Sequence, residues 1–210
     1  MFDRQLFIGD KVRLAAPDAD KDVEIESKWT LDLDYLRAIN VRPAYPLNLR
    51  LMKKHYEEQQ KEAEKRNLFW WTVRLRSDDR LIGWIKFEHL NWPHGTAMLE
   101  MAIGAPADRN QGYGGDVMKL ALRYAFNEVN LHRVGVYVPG YNAGALRFFA
   151  RFGFVEEVRR HEALLLHGQR YDDVWLGLLR HEWRSLLQGK DRTEDVSSLP
   201  LGEGWDEGNV

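Results

Sequence analysis

From Arg109 to Gly115 the chain reads Arg-Asn-Gln-Gly-Tyr-Gly-Gly, and a run with apolar residues at helical spacing follows to Glu128. A helix start leaves backbone N–H groups without partners, at the positive end of the helix dipole. Glycine at 112, 114 and 115 removes the side chains that would keep an anion from those donors, so the segment reads as a phosphate cradle. A tight strand-to-helix turn that binds nothing uses the same residues, and the glycines alone leave both readings open. Two nucleotide motifs do not match. A Walker A loop requires Gly-Lys-Ser/Thr, but Gly115 is followed by Asp116 and Val117. A dinucleotide fingerprint requires an acid at the end of the next strand, which here ends Val-Tyr-Val-Pro-Gly.

Other reactive residue types are less organised. The seven histidines (55, 89, 94, 132, 161, 167 and 181) show no ligand spacing, and there is no cysteine, so no metal site, disulfide or thiol nucleophile is expected. Ser27 and Ser77 lack the surroundings of a nucleophile elbow. Trp70, Trp71 and Trp84 lie in β-rich runs and read as core.

The elements that must position the glycine loop follow from periodicity and turn residues. Residues 5–14 read as an edge strand or hairpin turning at Gly9-Asp10, and helical pieces follow up to the two prolines of Arg-Pro-Ala-Tyr-Pro. Residues 47–66 form a helix; 68–77 and 80–90 form a hairpin; 96–104 is a third strand running into the glycine loop and its helix. A strand at 132–138, a short helix at 142–153 ended by Gly153, and two strands around His-Gly-Gln-Arg-Tyr-Asp complete the pattern. The expected fold is a mixed α/β (α+β) domain over residues 1–186, with a mostly antiparallel sheet and helices on both faces. Residues 187–210, rich in Gly, Ser and Asp, are expected to be a mobile tail. At 210 residues, 30% charged and net charge −2, the chain suits one globular domain with no general attraction to nucleic acid. No apolar run approaches the ~20 residues of a membrane span and the N-terminus lacks a signal-peptide pattern, so a cytoplasmic protein is expected, as monomer or homodimer.

The stretch from Ala97 to Phe154 resembles the core of the GNAT superfamily, the acetyl-CoA-dependent N-acetyltransferases. The pyrophosphate motif Arg/Gln-x-x-Gly-x-Gly/Ala stands as Arg109 to Gly114. "NLHRV", "YN" and "RFGF" follow in the family's order, and the later "HGQRYDDVWLGLLRHEW" is similar to the branch of ribosomal-protein N-terminal and spermidine N-acetyltransferases. The resemblance implies an enzyme that transfers acetyl directly from acetyl-CoA to an amine, on a sheet splayed at the cofactor site. It assigns the pyrophosphate to backbone N–H groups around Gln111, Gly112, Tyr113, Gly114 and Gly115, with Arg109 adding charge. The pantetheine arm falls to the main chain of Met101 through Ile103 to Gly104, and to Asn142, which also suits a helix N-cap.

Two departures from the family pattern bear on catalysis. The position of the family's frequent glutamate base is Met98; Glu100, two residues on and on the same strand face, becomes the candidate base, ahead of Glu88 and His89. The family's frequent tyrosine acid falls on Phe149, which has no proton to give, so Tyr141 or water is the expected substitute. A non-catalytic acyl-CoA-binding protein on the same fold is the rival reading. The acceptor wall would carry the run Asp18–Asp34, seven acids against Lys21 and Lys28. It suggests a cationic acceptor such as a polyamine, an aminoglycoside or a basic peptide N-terminus.

Overall fold

The computed structural model describes residues 5–39 and 41–191. Short edge strand β1 (Val12–Ala15) leads into α1 (Val23–Trp29), α2 (Leu33–Ile39) and α3 (Leu49–Glu64). Asn48 caps α3, its side-chain oxygen accepting from the Leu51 N–H at 2.9 Å. β2 (Phe69–Leu75), β3 (Leu81–Asn91) and β4 (Thr96–Ile103) form an antiparallel meander. Then come α4 (Tyr113–Arg123), β5 (Arg133–Pro139), α5 (Ala143–Arg151), β6 (Val155–Leu166), β7 (Gln169–Leu179) and α6 (Arg180–Asp191). One seven-stranded sheet results, in the order β1-β2-β3-β4-β5-β7-β6. All neighbours are antiparallel except β4 and β5.

α4 buries the stripe Val117, Met118, Ala121, Leu122 and Ala125, the i, i+4 spacing of a helix lying on a sheet. It packs on Leu99, Val134, Val136 and Val138, and it widens at its end, where the Val129 N–H bonds the Tyr124 carbonyl. The opposite sheet face is covered by α1, α2 and α3. There Trp29 and Tyr35 pack on Trp84 and Ala102, and Tyr56 packs edge-on against Trp70. Strand alternation therefore sends Leu99 and Met101 to one side of the sheet and Met98, Glu100 and Ala102 to the other.

Near the C-terminus the structure departs from the expectation in two places. The last hairpin turns at His167-Gly168 alone, both in the left-handed region (φ 51° and 77°), so Gln169–Asp173 belong to the strand. Arg180 opens a helix rather than ending a strand, and that helix continues through Leu187 to Asp191, past the expected start of the tail. Residues 192–210 of that tail lie outside the described residues.

Candidate active site

β4 and β5 pair only through Thr96–Arg133, Ala97–Val134 and Met98–Gly135, and then separate. The Met98 sulfur lies 2.7 Å from where a Gly135 Cβ would stand, so Met98 packs into the last joined pair. Beyond it, the β4 edge from Leu99 to Ile103 faces a cavity of about 930 Å³, closed by the glycine loop, α5, Tyr35 and Trp84.

The glycine loop is built for close approach. Gly112 is the N-cap of α4 at φ 82°, a conformation that strains any other residue. A Cβ on Gly114 would lie 3.5 Å from the Phe148 ring and 3.6 Å from the Met101 methyl, and one on Gly115 would lie 3.8 Å from Phe152. Side chains there would fill the gap between the start of α4 and α5. Upstream, Asp108 is clamped by both guanidinium nitrogens of Arg80, each at 2.7 Å, which fixes the entry to the loop.

The cation beside the loop is Lys11, which the sequence reading did not single out. Its ammonium donates to the Gln111 carbonyl at 3.0 Å and lies 3.2 Å from the Cβ position of Gly112. Buried Asp116, in the first turn of α4, puts it there by accepting from the backbone N–H groups of Lys11 (2.8 Å) and Val12 (3.1 Å). No local signal joins residues 105 positions apart.

Arg109 lines the cavity, and its charge is shared with a carboxylate partner. Its guanidinium turns to the end of β4 and to the start of α2, meeting Asp32 at 2.5 Å, the Gly104 carbonyl at 2.6 Å and the Ile103 carbonyl at 3.3 Å. It thus ties the loop to the opposite sheet face and occupies the Ile103 carbonyl expected to serve the cofactor arm. Asn142 lines the cavity and caps α5, its oxygen accepting from the Ala145 N–H at 3.0 Å. A cofactor contact would fall to its amide nitrogen. Phe149 is buried among Phe148 and Phe154, so this wall is apolar.

On the other sheet face, Glu100 lines the cavity with 41% of its side chain exposed, and Lys86 holds its carboxylate at 2.9 Å. Burial pushes the Glu100 carboxyl up, aided by the charge of Glu88 and opposed by Lys86. Tyr141, the expected acid, is held elsewhere. Its hydroxyl donates to the Arg37 carbonyl at 3.1 Å and its ring meets Tyr171 edge-on, so it joins the β5–α5 loop to α2 and does not line the cavity. Tyr137, two residues before Pro139 on β5, does line it, and burial followed by Asp173 pushes its hydroxyl up to about 12. Tyr35, whose hydroxyl accepts from Trp84 Nε1 at 2.8 Å, completes this wall.

The acidic run is largely neutralised within the fold. Asp18 pairs with Lys21, Asp20 with Lys53, Asp22 with Arg74, Glu24 with Lys28 and Asp32 with Arg109. Glu26 is buried and accepts from the Tyr56 hydroxyl at 2.6 Å, leaving Asp34 on the exposed side of α2. Among the described residues no cluster of His, Asp and Glu is suited to a metal, and no helix is long and apolar enough to cross a membrane.

A left-handed glycine cap, donors at a helix start and an open strand edge suit acetyl-CoA, with the pyrophosphate at the loop and the pantetheine arm along β4. Comparison with known proteins agrees. Residues 11–155 match the acetyltransferase (GNAT) domain. The spermidine N(1)-acetyltransferase of Vibrio cholerae is 33% identical over 94 residues, covering 45% of this chain and 53% of that protein. A prophage-derived N-acetyltransferase of Bacillus subtilis is 24% identical over 139 residues, covering 66% of this chain and 75% of the relative. The structure of spermidine N-acetyltransferase from Vibrio cholerae in complex with CoA and spermine superposes with a TM-score of 0.72 at 21% identity, over 82% of this chain and 98% of that one. The chain belongs to the GNAT acetyltransferases and is an acetyl-CoA-dependent N-acetyltransferase.

Proposed function

We propose that the acceptor is a cationic amine that reaches the cavity from the α1–α2 side of the sheet, and that Glu100 takes its proton. The observation that carries this reading is the placement of Glu100. It stands on the acceptor-side face, just past the last β4–β5 pair, beside the open strand edge. Acetyl-CoA supplies the acetyl group as a thioester. The chain's own task is to hold it with the backbone of Gln111 to Gly115, the β4 edge and Asn142, with Lys11 rather than Arg109 as the nearby cation. An amine with a free pKa near ~10.4 is charged at neutral pH, so it needs a base, and a carboxylate with raised proton affinity serves better than an ordinary one. Phe149 offers no acid, and a thiol with a pKa near ~8.5 leaves tolerably as the anion.

Two observations support a cationic acceptor: the likeness to a spermidine acetyltransferase, and the net negative charge of Glu88, Glu100 and Lys86 taken together. The run Asp18–Asp34 adds little, because its charges are mostly paired. The cysteine-free composition suits the reducing cytoplasm, where we place the reaction. The test is thiol release from acetyl-CoA over a panel of polyamines, aminoglycosides, basic peptides and neutral amines. Polycations should lead, and Glu100→Gln should lower turnover by about 10²-fold while the acetyl-CoA thermal shift persists. A neutral amine as best substrate would overturn the acceptor assignment. An unchanged pH–rate profile in Glu100→Gln would overturn the base.

A further inference from the structure

The face of the sheet that carries Glu100 also carries charges to which the reaction has so far given no part. β3 and β4 set Lys86 opposite Glu100 and Glu88 opposite Met98, so alternation brings Lys86, Glu88 and Glu100 onto one face. The Lys86 ammonium stands 2.8 Å from Glu88 Oε2 and 2.9 Å from Glu100 Oε2. The ammonium therefore holds the two carboxylates side by side. Immediately beyond, the β3–β4 register shifts between Glu88 and Asn91, and His89 takes the left-handed region at φ 51°. Its imidazole Nε2 then lies 3.5 Å from Glu88 Oε1, at the solvent end of the cluster. A non-glycine residue held there is strained, and such strain persists where surrounding structure over-determines it.

Resting on the assignment of Glu100 as base, we propose that Lys86 and Glu88 are positioning residues that set the proton affinity of Glu100. Glu88 does so through its charge, held beside Glu100, and Lys86 by bridging the pair. The two residues pull in opposite directions. A neighbouring carboxylate disfavours ionisation of Glu100, whereas the ammonium favours it. Against the cost of its own burial, Lys86 holds Glu88 low, while burial and the Glu88 charge hold Glu100 up. The pair therefore behaves as one ionised and one protonatable carboxyl. In the proton step an ammonium N–H proton passes to a Glu100 oxygen and the electron pair stays on nitrogen. The proton then passes from the partly exposed Glu100 carboxyl to solvent water.

Two titratable groups from covering helices face the same cluster. His55 on α3 is pushed down by burial and by Lys86, so it is neutral at neutral pH. Glu26 on α1 feels Lys86 and is pushed up to about 7, chiefly by burial. The chief causes of the Glu100 shift do not include it, so Glu26→Gln is the control for any ionisation near neutrality.

The experiment is a carbon-13 NMR titration of the glutamate carboxyls in the unliganded protein, paired with the pH dependence of kcat/KM for the best amine. In Glu88→Gln the Glu100 midpoint and the acidic limb should both fall by about one pH unit. In Lys86→Met both should rise by about one unit, and Lys86→Arg should restore them. Acetyl-CoA binding should stay within about two-fold throughout. If Lys86→Met does not fold, the direction in Glu88→Gln decides. A purely structural role would lower kcat and leave the midpoint and the limb in place, which would overturn the proposal. Glu100→Gln separates the two levels of the argument. If it keeps the wild-type limb, Glu100 is not the base and the proposal falls with it. If it loses the limb while the other variants leave theirs unmoved, only the roles of Lys86 and Glu88 fall.

Discussion

The two faces of the split between β4 and β5 are built on different principles. The cofactor side is made of backbone: a glycine loop, a helix start and an open strand edge, all contributed by residues between Leu99 and Gly115. The acceptor side is made of side chains drawn from distant elements: Tyr35 on α2, Lys86 and Glu88 on β3, Glu100 on β4 and Tyr137 on β5. A backbone site works whatever most of its side chains are, provided certain ones are absent. A side-chain site can be rebuilt residue by residue without disturbing the sheet. That contrast lets the chain keep the family's cofactor motif while Met98 and Phe149 stand where the resemblance places a base and an acid.

The sharpest way to break the comparison is to place bulk and charge in the backbone site. Gly112→Glu with Gly114→Glu strains the φ 82° cap and fills the cradle with carboxylates, so the thermal stabilisation by acetyl-CoA should vanish. An undiminished shift in the folded double variant would remove the loop from the cofactor site.

A second, smaller effect belongs to the acceptor side. Burial pushes Glu26 up to about 7 from an ordinary 4.5, so the folded protein binds that proton more tightly than the unfolded chain. The stability it contributes is full below about 4.5 and is lost as the pH rises through about 7. Relative to wild type, Glu26→Gln should gain about 3 kcal/mol between pH 4.5 and pH 8 in denaturant titrations. A difference that does not vary with pH would mean that Glu26 is ionised when buried.

The next test contrasts two cations. Lys11→Ala should weaken acetyl-CoA binding by about five-fold, the size of one exposed charge contact, whereas Arg109→Ala should mainly lower the melting temperature. The reverse pattern would return the anion-binding role to Arg109. The smallest effect is expected at Tyr141. Tyr141→Phe removes one hydrogen bond to the Arg37 carbonyl, so it should cost about 1 kcal/mol of stability and leave kcat unchanged. A large loss of kcat would restore Tyr141 to the chemistry.

The contrast between the two sides also governs what was legible in the sequence. The cradle could be read because Gly112, Gly114 and Gly115 are contiguous and their function is local. Strand alternation sufficed to put Glu100 and Met98 on one face. The partners of Arg109 and Tyr141 were not legible, because Asp32 and the Arg37 carbonyl lie 77 and 104 residues away. Lys11 went unseen for the same reason, since a carboxylate on α4 positions it. The acidic run overstates its own net charge. Lys53, Arg74 and Arg109 neutralise Asp20, Asp22 and Asp32 across the fold, which a count of charges along the chain does not register.

The brevity of the β4–β5 ladder has a mechanical consequence. Among the described residues, the β4–β5 ladder joins the half-sheet β1–β4 to the half-sheet β5-β7-β6 through three residue pairs, with the Gly95 carbonyl accepting from His132 and Arg133 at its start. The packing of α4 beneath it and the Tyr141 hydrogen bond to Arg37 add to the joint. Such a seam is compliant along its length and can part slightly without breaking a helix or another strand pair. A molecule lying along the β4 edge acts as a splint across it. Amide hydrogens on the unpaired edge from Leu99 to Ile103 should therefore exchange quickly in the unliganded protein, and deuterium uptake there should slow on loading with acetyl-CoA, together with uptake in β5 on the far bank.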